Sequence, residues 1–342
     1  MGNTCRTIGP NYMEEERAIE GSLSSSDLDV RLHKGAVLGL AASGTSTLSC
    51  SDDMRICRFN WRDMGLTPQY FDGHEKAVNR VVVFGKFVWS VSRDLSLRQW
   101  CIETGSELQK IAQTHALNPS AVVAQNNRVY TGSRDYSVKG WDVETGKCIT
   151  SYSCPRNIVT ALELDNDGNL LYQASEDLCV RVWDTRTSAS SVPAVHMTDF
   201  VYFPLSIDKH PTNNTLATGC KGFDASGCQV KLWDLRSTSK PVVEFLGHTQ
   251  DVTACKFSLD GTLLVSVSKD GCIFSWDTVH TTQGPAYCDR LSTGKILTSL
   301  TFVDVSSPQD HGAFAVGSFD GSVTLCSTQG RAMRLEHSSS SI

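Results

Sequence analysis

Ser133-Arg134-Asp135-Tyr136-Ser137-Val138-Lys139-Gly140-Trp141-Asp142 sets an Asp six residues before a Trp. The same interval returns at Asp94 to Trp100, Asp177 to Trp183 and Asp270 to Trp276. Two further copies keep it with another last residue, Asp53 to Phe59 and Asp320 to Cys326. Asp224 to Trp233 reads as a seventh copy carrying three extra residues. The copies recur every 41 to 50 residues. A period of that length marks a chain that stacks one supersecondary unit, because a single unit cannot bury its own apolar face.

Working outward from each copy, short runs of alternating polarity are separated by turn residues, the pattern of antiparallel sheet. Residues 252–257, 263–267 and 272–276 read as successive strands joined at Asp260-Gly261 and Asp270-Gly271. Asp-Gly suits two-residue hairpins because both positions tolerate positive φ; Asp167-Gly168 and Asp320-Gly321 repeat the device. Twenty residues before Asp53, Asp94 and Asp135 stand His33, His74 and His115, with Asn157 at that place before Asp177, and His248 precedes Asp270 by 22. Four before the Asp stand Ser49, Ser90, Thr131 and Ser266.

These His, Ser/Thr, Asp and Trp positions, with Trp-Asp pairs at 141–142, 183–184, 233–234 and 276–277, resemble the WD-repeat (WD40) family. The resemblance covers roughly residues 28 to 335. It implies an all-β fold: a seven-bladed WD40 β-propeller with four antiparallel strands per blade in a single closed ring. It also implies that the four positions form a hydrogen-bonded tetrad within a blade. The sets that match in full are His74, Ser90, Asp94 and Trp100; His115, Thr131, Asp135 and Trp141; and His248, Ser266, Asp270 and Trp276. An Asp taken out of water needs such donors. Recurrence in repeat after repeat is what a scaffold produces, so these sets are not read as hydrolase triads. Residues 1–27 are expected to form a disordered N-terminal extension, 28–337 the propeller and 338–342 a disordered tail. A closed ring avoids exposed sheet edges. Residues 28–32 and 331–335 compete for the fourth strand of the last blade.

The net charge of −6 argues against nucleic-acid binding, which needs a concentrated basic face. Thirteen cysteines without a C-x-x-C spacing point to neither a disulfide framework nor a zinc ribbon, and free thiols suit a reducing cytosol. Asp165-Asn166-Asp167-Gly168-Asn169 has its Gly two positions too early for a calcium loop. Thr145-Gly146-Lys147-Cys148 lacks the upstream Gly and the Ser/Thr of a phosphate loop. No cofactor, metal, catalytic group or small-molecule substrate is therefore expected, and the chain reads as a protein-binding scaffold rather than an enzyme.

Three features point to partners. Met1-Gly2-Asn3-Thr4-Cys5 makes Gly2 a myristate acceptor once Met1 is removed, although Arg6 stands where Ser or Thr is preferred. Cys5 would supply the second acyl chain that stable membrane tethering needs. Trp183-Asp184-Thr185-Arg186 and Trp233-Asp234-Leu235-Arg236 resemble boxes of substrate receptors for cullin-4 ubiquitin ligases, in which Arg186 and Arg236 would touch the ligase adaptor. The residues before each repeat Asp, namely Asp52, Arg93, Arg134, Glu176, Lys269 and Phe319, are expected on a partner-binding face near the central channel. Finally, the Gly222-Phe223…Gly227-Cys228 insertion is similar to that of WD-repeat proteins associated with cilia. This implies a cytoplasmic scaffold at the cilium or flagellum, with other proteins and a membrane surface as partners.

Overall fold

The computed structural model describes residues 20–22, 29–63, 67–125, 127–153, 156–187, 193–279, 287–304 and 313–327. Gly2, Cys5, residues 331–335 and the tail at 338–342 lie outside them. Every regular element among the described residues is a strand, and the strands form seven sheets, antiparallel apart from one added edge strand. The first blade runs Val37–Ser43, Ser46–Ser51, Ile56–Asn60 and Gln69–Phe71 from the centre outward. The innermost strands of the others start at Val78, Pro119, Val159, Pro204, Val252 and Leu297. Each innermost strand packs on the next, and Leu297–Phe302 returns to Val37–Ser43, so the ring is closed. The fold is a seven-bladed β-propeller.

Closure uses the N-terminal side. Asp29–Arg31 pairs antiparallel with Ser322–Ser327 as the outer strand of the seventh blade. Thr324 Oγ1 donates to Asp29 at 2.9 Å, and Lys295 reaches Asp29 and, at 2.8 Å, Ser322 Oγ. The sixth blade gains a fifth strand, Glu20–Ser22, laid parallel to Tyr287–Ser292.

The apolar core lies between blades. Seven hydrophobic layers each draw on two neighbouring sheets. One joins Leu48, Ile56 and Phe71 of the first blade to Val78, Val88 and Trp100 of the second. Period-two alternation cannot be clean in such strands, because both faces of each sheet are covered.

The Asp-Gly turns are longer than two residues, which corrects the hairpin reading. Five residues separate Val252–Phe257 from Leu263–Ser268, and three separate the latter from Cys272–Asp277. Only the Gly of each pair is left-handed, with φ of 75° at Gly261 and 80° at Gly271. A three-residue hairpin ends in such an αL residue. In the first four blades that place holds Met54, Leu95, Tyr136 and Leu178, with φ between 62° and 72°. A side chain in this region costs about 1–2 kcal/mol, partly offset by the chain entropy that Gly loses. Tyr136 is 46% exposed, so little packing opposes the change. Tyr136→Gly is expected to raise stability by about 0.5–1 kcal/mol; a lower urea midpoint would contradict the strain.

Candidate functional site: the mouth of the central channel

The tetrads come first, because they hold the loops that build this face. In the second blade His74 Nδ1 lies 2.8 Å from Asp94, His74 Nε2 lies 2.7 Å from Ser90 Oγ, and Trp100 Nε1 donates to Ser90 at 2.8 Å. The third blade repeats this with His115, Asp135, Thr131 and Trp141 at 3.0, 2.7 and 2.8 Å. In the sixth, His248, Asp270, Ser266 and Trp276 give 3.2, 2.8 and 2.8 Å. A carboxylate only accepts and an indole only donates. A neutral His therefore gives its Nδ1–H to the Asp and receives the hydroxyl proton at Nε2. The hydroxyls are sealed: Ser90, Thr131 and Ser266 are 0% exposed. Each is spent on its Trp and His, with no room for a substrate carbonyl.

Burial lowers the pKa of His74 from 6.5. Burial alone would raise Asp94 and Asp135, but hydrogen bonds from the His and from Ser96 or Ser137 hold both far below the ordinary carboxylate range. Asp270 likewise sits at about 2, held there by His248 against its burial. All these shifts have one sign. The unfolded chain binds protons more readily than the fold, so acid destabilises. The stability these groups contribute should be fully present above pH 6.5. It should decline first as His74 titrates in the unfolded chain, then more steeply from pH 3.8 toward 2 as Asp270 protonates. Urea midpoints measured from pH 3 to 8 check this; a midpoint rising on acidification would refute the assignment.

Four blades depart from the motif. In the first, His33 bridges Asp53 and Ser49 at 3.0 and 2.8 Å, while Trp61, two residues beyond Phe59, donates to Thr47. In the fourth, Asp177 is clamped by Arg181 at 3.0 and 2.6 Å, and Trp183 donates to Gln173. Asn157 instead accepts from the backbone of Ile158. In the fifth, Trp233 finds Thr218, fifteen residues earlier instead of ten. The insertion is thus five residues rather than three, and Asp224 is no tetrad member but an exposed residue at φ 51°. In the seventh, Lys295 stands 3.2 Å from Asp320.

On the same face, every innermost strand carries a β-bulge near its start. A bulge re-aims one side chain. Here it turns residues such as Asn79, Ser120, Thr160 and Thr253 to the channel mouth, where they stitch each blade to the next. Asn79 donates to Pro119 O at 2.6 Å, Thr160 to Pro204 O at 2.7 Å, Thr253 to Leu297 O at 3.0 Å, and Ser120 to Val159 O. These bulges leave no mark in a sequence read by period alone.

The bulge residues and the hairpin tips enclose a funnel of about 610 Å³. Of the six residues expected on the partner face, Arg93, Arg134, Glu176 and Lys269 line it together. Asp52 pairs with Arg93 at 3.2 Å, and Phe319 is 62% exposed; neither is among the funnel residues. Lys269 is neutralised by Asp251 at 2.8 Å. Arg134 and Glu176 have no ion-pair partner among the described residues.

Deeper in the channel lies a charge cluster that pattern reading missed. Lys256 Nζ is 2.5 Å from Asp208 and 3.4 Å from Glu163, linking the sixth, fifth and fourth blades. Asp208 also accepts the Phe257 amide at 2.8 Å. Lys256 faces the channel, where burial would lower it but the two carboxylates raise it above an ordinary lysine; burial raises Glu163. Arg186 and Arg236 lie at the opposite ends of their blades. Each folds back on the Asp two residues before it, at 2.6 and 2.8 Å.

The "WD domain, G-beta repeat" family matches residues 146–184 and 239–277. Each match begins at or just before the outer strand of one blade and ends with the third strand of the next, so the sequence repeat is offset from the blade. That offset is why Asp29–Arg31 has to cross to the seventh blade. Nuclear distribution protein PAC1 of Ajellomyces capsulatus is 32% identical over 256 residues, 68% of this chain and 55% of the relative. The U3 small nucleolar RNA-associated protein 21 homolog of Schizosaccharomyces pombe is 32% identical over 42% of this chain. Protein transport protein Sec31B of Mus musculus is 30% identical over 32%. The chain spans only 14% and 9% of the last two relatives' own lengths. Closed ring, tetrads and matched repeats together describe a seven-bladed β-propeller in which WD40 repeats are present.

Proposed function

We propose that this propeller is a non-catalytic scaffold that gathers partner proteins at the mouth of its channel. The observation that carries the reading is the funnel itself, where charged side chains from four blades converge and Arg134 and Glu176 have no ion-pair partner among the described residues. An exposed charge without an internal partner adds orientation and partner choice at little cost in stability. The charge swap Arg134→Glu with Glu176→Lys should remove partner recovery from cells while leaving the melting temperature in place. Unchanged recovery would overturn the reading.

We propose further that acylation at Gly2 and Cys5 tethers the ring to a membrane, and that it serves protein trafficking at the cilium. This rests on the N-terminal residues and on the similarity of the Phe223 insertion to that of WD repeat-containing protein 31. That one relative is a protein transport protein points the same way. Localisation of a C-terminally tagged chain in ciliated cells, beside Gly2→Ala, tests it: ciliary membrane signal that disperses in the variant supports the tether. Diffuse signal in both refutes it.

One observation favours a second reading, as a receptor for a cullin-4-type ubiquitin ligase. Arg186 and Arg236 are presented alike on adjacent blades, each guanidinium held open to solvent by its own Asp. Co-purification of the ligase adaptor, lost on Arg186→Ala with Arg236→Ala, would establish it.

A further inference from the structure

Arg80 follows the bulge residue Asn79 on the second blade's inner strand, and it lines both the funnel and the channel below. Its Nη1 donates to Asn79 O at 2.9 Å and to Leu38 O of the first blade. That second contact has a structural purpose. Leu38 occupies the first blade's bulge and has no donor for stitching, so Arg80 closes the seam from the other side. A neutral amide would do this equally well, as Asn79 does at the next seam. The positive charge is what the stitching leaves unexplained.

No carboxylate pairs with Arg80 among the described residues. The channel is lined by small apolar side chains such as Ala41, Val82 and Val123, and its other charges, Glu163 and Lys256, are paired with each other. Among the described residues neither Nε nor Nη2 makes a hydrogen bond, and the half-buried side chain lines the channel. The guanidinium therefore offers its Nε–Nη2 edge to the channel. That edge presents two parallel N–H donors, matched to the two oxygens of a carboxylate. Taking a guanidinium this far from bulk water without a counter-charge is costly, and a ligand carboxylate would remove the cost.

The surroundings set the sign of what enters. Arg80, Arg93 and Arg134 stand on two adjacent blades of the funnel wall. Asp52 answers Arg93 and Asp251 answers Lys269, so among the described residues of the funnel Arg80 and Arg134 remain as the uncompensated cations, against Glu176 on the neighbouring blade. The chain as a whole is acidic, yet this quarter of the mouth is basic.

We propose that the channel mouth takes a glutamate or aspartate side chain from an extended segment of a partner protein, with Arg80 gripping the carboxylate and Arg134 meeting it at the rim. This rests on the scaffold reading above and adds the chemistry of the recognised residue.

The full-length chain can be titrated with two fluorescein-labelled pentapeptides, Ser-Gly-Glu-Gly-Ser and its Gln counterpart. The wild type is expected to prefer the Glu peptide at least about tenfold, the yield of one good charge-assisted pair. Arg80→Gln keeps a donor for Leu38 O and removes the charge, so the preference should drop below about twofold with the melting temperature held. Arg134→Gln, far from the seam, gives the same test should the first variant fold poorly. Equal binding of both peptides by the wild type overturns the proposal, as does an undiminished preference in both variants. Inorganic phosphate that binds through Arg80 while the Glu peptide does not would also overturn it, in favour of a phosphate site. Should the funnel charge swap abolish partner recovery while the Glu preference is absent, the scaffold reading stands and this inference alone falls.

Discussion

Asp135→Ala is expected to lower the unfolding free energy by about 3–5 kcal/mol, the range for removing one member of a buried, hydrogen-bonded pair. The carboxylate is an acceptor for His115, for the Ala116 amide and for the Ser137 amide and hydroxyl. Alanine leaves each without its partner. The loss would spread, because His115 also aligns Thr131, which receives Trp141. The same reasoning applies to Asp94, which in addition faces Arg98. Asp320, half exposed and held by Lys295, should be markedly more tolerant. Urea denaturation of the three Ala variants gives the ranking; a loss below about 1 kcal/mol at Asp135 would put it among ordinary surface contacts.

Deletion of residues 1–32 should cost about 5 kcal/mol, whereas deletion of 1–27, which removes only the added edge strand Glu20–Ser22, should cost a small fraction of that. The longer cut removes Asp29–Arg31 from the seventh blade. It also removes Leu32, only 3% exposed, and Val30, packed against the layer between the seventh and first blades. Burying two such side chains contributes about 1.5–3 kcal/mol each. The ladder and the Lys295–Asp29–Thr324 contacts are lost as well. The cut then leaves Ser322–Ser327 as an open edge, a template for pairing with another chain. Size-exclusion chromatography with urea melts separates the two cuts. Equal stability of both would mean that Asp29–Arg31 does not close the ring.

Much of this architecture was legible because the tetrad imposes a fixed interval on residues with distinctive chemistry. Asp94 to Trp100 spans one hairpin and one strand, and no other device demands that spacing so often. The reading failed where a blade solved the same problem with other residues. Gln173 is an acceptor for Trp183 as well as a hydroxyl is, and Arg181 balances Asp177 without a His, so neither fits a template written for Ser and His. In the fifth blade an acidic residue at a plausible distance, Asp224, stood in for a missing tetrad Asp. Only the pairing of Trp233 with Thr218 shows the true length of the insertion. The choice between two closing strands was open because either end of the chain could supply three extended residues. At the mouth, the place of four of the six residues before a repeat Asp was legible by position, while Asp52 and Phe319 fall outside the funnel. Arg80 was not, because its exposure to the channel depends on a bulge, and a bulge breaks the period on which strand reading relies.

The mouth of the channel is the proposed working surface. That role is tested most directly by quantitative affinity purification from ciliated cells, comparing the wild type with Arg134→Glu plus Glu176→Lys and with Arg186→Ala plus Arg236→Ala, all at equal expression and melting temperature. A defined set of partners should disappear with the mouth variant and persist with the other. Persistence with the mouth variant and loss with the Arg186/Arg236 variant would contradict that role and move the working surface to the opposite face.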